Sequence, residues 1–212
     1  HNTKNHPGAG KSVPVIGGVL LAAGQSRRMG KVNKLLAEID GVPMIQYVAS
    51  ALADSGSGPL VVVTGHQAEK VRASLEGFNA ELVHNPKYGD GLSTSLQVGI
   101  GALIDRADGV VVCQGDMPEV SSQHIDKLLA AFDPAEGRGI CVPTANGKRG
   151  NPVLWGAEYF PEILSVAGDV GARHLIGEHA EVVCEVEMKD LGVLVDIDTP
   201  QALNAARSKI ES

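Results

Sequence analysis

Four basic side chains fall within eight positions, Arg27, Arg28, Lys31 and Lys34, directly after the apolar run 19–23 of the segment VLLAAGQSRRMGKVNKLL. The chain as a whole carries a net charge of −7, so positive charge gathered at one place has a local use. The planar fork of Arg28 and the point charge of Lys34 both suit polyphosphate oxygens. Acidic groups complement them. Asp116 stands in Gly115-Asp116-Met117-Pro118, just past an apolar run, where a strand-end carboxylate can take a divalent cation or simply cap a turn. Asp196 and Asp198 alternate in VDIDTP and point the same way if that stretch is extended. Asp198, followed by Thr-Pro, fits the start of a helix equally well. Carboxylates repel a triphosphate unless a hard cation such as Mg²⁺ bridges them, using few carboxylates together with phosphate oxygens. Basic loop and acidic groups together predict metal-assisted displacement at a nucleotide phosphorus.

Two further segments carry candidate ligand groups. Gly89-Asp90-Gly91-Leu92-Ser93-Thr94-Ser95 places glycines and three hydroxyls at a helix start, suited to a base and ribose or to plain capping. Lys148-Arg149-Gly150-Asn151-Pro152 is either a β-turn or a place from which Arg149 or Asn151 reaches an acceptor substrate. Small residues at Ala22, Ala23 and Gly24 let a ligand approach the backbone closely, and the exposed N–H groups of such a turn favour anions or a base edge. The turn is not GxGxxG, so the usual dinucleotide fingerprint is absent. PGAGKS near the start lacks the first glycine and the preceding strand of a phosphate-binding loop. His66, His84, His124, His174 and His179 have no metal-ligand spacing and read as surface or capping residues.

These groups need a scaffold that brings strand ends together. Short apolar runs at 15–22, 60–64, 109–114, 139–142, 153–155 and 181–186, with a polar-edged strand at 81–84, alternate with helical patterns at 45–54, 67–75, 93–104, 121–132, 158–164, 170–176 and 200–209. Ser93 or Thr94 is expected to cap the third helix and Ser121 or Ser122 the fourth. Asp40-Gly41 marks a hairpin turn. Unalternating β-branched strands with helices between them predict an α/β fold, a mostly parallel sheet with helices on both faces. In such sheets ligands bind beyond the carboxyl ends of the strands. Residues 1–13 read as a disordered tail and 14–212 as one domain.

Composition narrows the partners. Aromatics are only 3%, too few for stacking platforms, and the negative net charge opposes a nucleic acid partner. No apolar segment approaches the ~20 residues of a membrane span. Cys113, Cys141 and Cys184 are odd in number and far apart, as expected for buried free thiols of a cytoplasmic protein.

The motifs LAAGQSRRMGKVNKLL, GDGLSTSL, QGDMPEV, RGNPVLW, GDVGARHLI and DIDTP occur in the order seen in nucleotidyltransferases of the molybdenum cofactor cytidylyltransferase type, and the chain resembles that family from about residue 15 to 210. The resemblance implies the Rossmann-like nucleotide-diphospho-sugar transferase (GT-A-like) fold. It implies that Ala22, Ala23 and Gly24 meet the base, Arg28 and Lys34 the phosphates, and Gly91 and Ser95 the base or ribose. Asp116 and Asp198 would hold Mg²⁺. The implied reaction moves a CMP group, less readily GMP, from CTP to a phosphate of a molybdopterin-type cofactor and releases pyrophosphate. The implied partners are these small molecules and a molybdoenzyme or its chaperone. The chain also resembles a branch named NAD(P)H-dependent nicotine blue oxidoreductase, which implies a quinone reductase using NAD(P)H and FMN. A non-catalytic nucleotide-binding module is the third reading.

Overall fold

The computed structural model describes residues 12–24, 33–166 and 172–211. The chain runs β1 (Ile16–Ala22), β2 (Glu38–Ile39), β3 (Val42–Pro43), α1 (Met44–Asp54), β4 (Leu60–Thr64), α2 (Ala68–Ser74), β5 (Glu81–His84) and α3 (Leu92–Leu103). It continues through β6 (Gly109–Gln114), α4 (Ser122–Ala131), β7 (Ile140–Ala145), β8 (Lys148–Arg149), β9 (Val153–Gly156) and α5 (Phe160–Leu164). The last elements are α6 (Arg173–Glu178), β10 (Val183–Glu187) and α7 (Pro200–Glu211). The main sheet has the order β10-β7-β9-β6-β1-β4-β5, with β8 paired to β7.

β1 pairs in parallel with both β4 and β6, and β4 with β5, as the unalternating apolar runs predict. β9 departs from that pattern, lying antiparallel to both β6 and β7. Nothing in Val153-Leu154-Trp155 distinguishes the two directions, because a strand buried on both faces is apolar either way. Two antiparallel steps cancel, so β7 points the same way as β6, and β10 follows it in parallel. The carboxyl ends of β1, β4, β5, β6, β7 and β10 therefore share one edge of the molecule.

Successive strand residues face opposite sides. Leu20, Val62, Val111 and Cys113 pack with Ile45, Val48, Val71, Ile125 and Leu128 of α1, α2 and α4. Val19, Val61, Val63 and Val110 pack with Ile100, Leu103, Ile163 and Ile176 of α3, α5 and α6. Each such fully buried aliphatic side chain stabilises the fold by about 1.5–3 kcal/mol. Helix α3 lies close against the sheet because Gly99 has no Cβ; one there would stand 2.6 Å from Val19 Cγ1. A third cluster, Ile39, Met44, Ile197, Leu203 and Ala206, docks α7 onto the β2–β3 hairpin. Asp40 and Gly41 both take positive φ, 53° and 74°, the pairing that the tight hairpin turn demands.

The caps correct one expectation and bear out another. Helix α3 is capped by neither Ser93 nor Thr94: Gly91, at φ 116°, occupies the cap position without a side-chain bond. Ser93 and Ser95 are instead buried inside the first turns of the helix. Helix α4 begins on Ser121, whose hydroxyl accepts the His124 N–H while the His124 ring accepts the Ser121 N–H. Cys113 and Cys141 are buried and Cys184 is half-buried, all as free thiols. Residues 1–11 of the expected tail lie outside the described residues, as does Arg28. Among the described residues no helix is long and apolar enough to cross a membrane.

Candidate active site

The strand ends open into a cleft of about 390 Å³. Ala23 and Gly24 line it beyond β1, and Gly115 and Asp116 beyond β6. Gly91 and Ser95 close it from the start of α3, and Lys34 stands within it. Ala22 is buried in β1, paired in register with Thr64, and stays behind the cleft wall. The turn after β1 is held by the His66 N–H, which donates to Ala23 O at 3.2 Å. Gly65 is needed beside it, since a Cβ there would come within 2.8 Å of both Ala23 Cβ and Ala23 O.

Lys34 is the hub of the charged groups. Its Nζ lies 2.9 Å from Asp116 Oδ2 and 2.9 Å from Asp198 Oδ1. Burial lowers the Lys34 pKa, but charge and hydrogen bonding from Asp116 and Asp198 outweigh it, leaving the ammonium above its ordinary range. The lysine therefore stays charged and neutralises part of the acidic cluster. The resemblance implies phosphates for Lys34 and a metal for Asp116 and Asp198; here the three form one ion-paired group.

Asp196, noted in the alternating Asp-Ile-Asp but not assigned a role, joins the cluster. One carboxylate oxygen from each of Asp116, Asp196 and Asp198 lies within 4.8 Å of the other two. A hydrogen bond to Asp198, then burial, then the charges of Asp198 and Asp116 raise the Asp196 pKa above the usual carboxylate range. Three acidic groups so close are mutually unfavourable without cations among them. Asp116 Oδ1 is buried and makes no hydrogen bond. An unsatisfied carboxylate oxygen in a clustered all-oxygen donor set fits a hard divalent cation.

The cluster is built by long-range backbone contacts. The Ile197 N–H donates to Asp116 O at 2.9 Å, which fastens the chain carrying Asp196 and Asp198 against the end of β6. Farther back, the Asn151 N–H donates to Val193 O at 3.0 Å. The rival reading of Asp198 as a helix cap is settled by its neighbour: Thr199 Oγ1 accepts the Ala202 N–H at 3.1 Å. The Asp198 carboxylate instead pairs with Lys34.

A second hollow of about 240 Å³ adjoins through Gln114 and contains Arg149, Asn151, Arg173 and Asp196. Arg149 is also ion-paired to Glu185 at 3.0 Å. Between the two hollows an apolar recess is walled by Leu92, Leu96, Trp155 and Ile176. Sequence reasoning passed over Tyr88 and Gln114 in the main cleft; Gln114 ends β6, so the strand-end rule could have found it.

The sequence model of the MobA-like NTP transferase domain matches residues 18–182. The nicotine blue oxidoreductase of Paenarthrobacter nicotinovorans is 27% identical, covering 90% of this chain and 96% of its own. The purine catabolism protein PucB of Bacillus subtilis is 30% identical over 92% and 97% of the two chains. The molybdenum cofactor cytidylyltransferase of Escherichia coli is 25% identical over 90% and 95%. A solved nucleotidyl transferase from Methanothermobacter superposes with a TM-score of 0.81 at 24% identity, covering 93% of this chain and 98% of that one. The architecture is accordingly the Rossmann-like nucleotide-diphospho-sugar transferase fold.

Proposed function

The chain belongs to the MobA-like NTP transferase family, and from that premise we propose that it is a Mg²⁺-dependent cytidylyltransferase acting on a phosphorylated cofactor of the molybdopterin type. The observation that carries the reading is the pairing of Lys34 with Asp116, both lining the cleft beyond the Ala23-Gly24 turn, and with Asp198 behind them.

The nucleotide lies in the larger hollow. Its base and ribose face Ala23, Gly24, Gly91 and Ser95, and its triphosphate runs toward Lys34. Asp116, Asp196 and Asp198 are the residues that would hold Mg²⁺, which when bound neutralises phosphate charge and polarises the α-phosphorus. Lys34 reaches the phosphates by exchanging a carboxylate for a phosphate oxygen, a partner that is likewise anionic. Arg28, outside the described residues, completes the phosphate clamp in this reading. The acceptor enters by the adjoining hollow, where Arg149, Asn151 and Arg173 receive its phosphate. An oxygen of that phosphate attacks the α-phosphorus, the bond to the β-phosphate oxygen breaks, and pyrophosphate leaves. The protein positions the two anions and neutralises their charge, with no covalent intermediate required.

The quinone-reductase alternative is not favoured. Its support is the name of one relative, whereas clustered carboxylates beside a lysine suit metal–phosphate chemistry rather than hydride transfer. The test is pyrophosphate release from CTP and from GTP with a molybdopterin acceptor, run on the wild type and on Asp116→Asn. Release that requires Mg²⁺, prefers CTP and disappears in the variant while its melting temperature holds is the expected result. Full turnover in Asp116→Asn would remove the carboxylate from the mechanism.

A further inference from the structure

Asn85 follows the carboxyl end of β5 and is only 1% exposed. Its side-chain amide is engaged at both ends. Oδ1 accepts the Lys87 N–H at 2.9 Å, while Nδ2 donates to Thr94 Oγ1 and to Ser95 Oγ, each at 2.9 Å. The orientation of the amide is not ambiguous: a backbone N–H can meet only the oxygen, so the NH₂ must face the hydroxyls.

Each hydroxyl, accepting at its oxygen, has to send its own proton elsewhere. Thr94 sends its proton to the main chain, with Gly91 O at 2.8 Å and Lys87 O at 3.0 Å. Ser95 is 4% exposed and lines the main cleft, and no group among the described residues accepts its proton. A serine hydroxyl ordinarily rotates to donate or accept as the ligand requires. This one has one lone pair taken by Asn85, whose NH₂ cannot accept, so its proton is left for a partner in the cleft.

We infer that Asn85 is a positioning residue that keeps the Ser95 proton available to the cleft, so that the cleft favours a nucleotide presenting an acceptor atom at the start of α3. This rests on the nucleotide reading above. The matching chemistry is a pyrimidine edge with its ring carbonyl and ring nitrogen, or a ribose oxygen. An edge that offers only a donor there leaves that proton without a partner. Asn85 itself touches no ligand and acts through Ser95.

The experiment measures the Kd of Mg·CTP by calorimetry at about pH 8, where an introduced carboxylate is favoured in its charged form, on the full chain and four variants. Asn85→Asp keeps the shape but replaces the donating amide with an accepting oxygen, drawing the Ser95 proton away from the cleft. Asn85→Ala leaves the hydroxyl able to rotate. Asn85→Asp and Ser95→Ala are each expected to weaken binding roughly tenfold, the size of one good hydrogen bond. The double variant is expected to bind no worse than Asn85→Asp, and Asn85→Ala to be less damaging than Asn85→Asp. A merely structural Asn85 gives the opposite order, because alanine loses the Lys87 and Thr94 links that aspartate partly keeps. That order, or additive losses in the double variant, overturns the inference. If Asn85→Asp melts below the assay temperature, Ser95→Ala decides: an unchanged Kd overturns it. Repeating the series with 2′-deoxy-CTP separates ribose from base, since loss of the Ser95 effect identifies the 2′-oxygen. Binding of Mg·CTP without any Ser95 effect sinks only this inference, whereas no binding of Mg·CTP or Mg·GTP by the wild type sinks the nucleotide reading with it.

Discussion

Lys34 and the three aspartates form a charge balance that any ligand must rearrange. Replacing Lys34 by Met takes from Asp116 and Asp198 the ammonium they share, with Asp196 close beside them. In metal-free buffer this variant is expected to lose about 1–3 kcal/mol of stability, the range for losing charged hydrogen bonds at a partly buried site. Adding Mg²⁺ is expected to raise its melting temperature more than that of the wild type, since the metal then supplies positive charge that Lys34 already gives the wild-type cluster. Equal Mg²⁺ effects on the two proteins in thermal melts would contradict a shared site. Much at this scale was legible: Asp116 and Asp198 stood out by following apolar runs or by alternating. That Lys34 joins them was not, because the contacts span 82 and 164 positions and depend on how three separate elements converge. Asn85 gave a weaker signal, a polar residue after a strand whose partners lie nine and ten positions on.

Among the elements, the segment between β10 and α7 must arrive at the right depth. Gly150 lets it do so, because a Cβ there would collide with the backbone carbonyl of Val193, which cannot swing aside as a side chain does. Gly150→Ala is expected to cost about 1–3 kcal/mol and to depress turnover beyond that, by shifting the chain that carries Asp196. Denaturant melts paired with activity measurements check both. On the other side of the sheet, His179 Nε2 and Glu162 Oε2 lie 2.7 Å apart and tie the chain after α6 to α5. The hydrogen bond from Glu162 leads the causes that raise the His179 pKa above 6.5. A histidine whose pKa is raised by folding contributes stability that is fully present below its unfolded value and fades as pH rises through the folded one. The melting-temperature gap between the wild type and His179→Gln is therefore expected to narrow from about pH 5.5 to about pH 8.5; a gap that widens would reverse the assignment. Strands β4, β5 and β6 matched their expected limits because apolar runs bounded by turn residues are explicit in sequence. The direction of β9 and the cap of α3 were not explicit. The first depends on pairing with β6 and β7, and the second on Gly91 adopting a positive φ that relieves Ser93 and Thr94 of the task.

Over the whole molecule, a net charge of −7 sets the terms for a triphosphate ligand. The general field repels it, so binding depends on the local cations and on a metal that offsets Asp116, Asp196 and Asp198. The doubly covered sheet supplies the geometry: parallel strands bring their carboxyl ends to one edge, and a chain crossing back after β10 adds the remaining carboxylates there. That layout was readable from the alternation of strands and helices, whereas the two hollows joined at Gln114 appear only once the sheet is assembled. The larger hollow is proposed to take a nucleoside triphosphate with its metal. The most direct measurement is the melting temperature of the wild type with CTP and Mg²⁺, repeated with EDTA and with FMN or NADH in place of CTP. A ligand at about a hundred times its Kd stabilises the folded state by ~2.7 kcal/mol, a rise of about 5–10 °C for a chain of this size. That rise is expected with Mg·CTP, and its loss in EDTA. No shift with Mg·CTP, alongside a clear shift with FMN or NADH, would contradict that proposal.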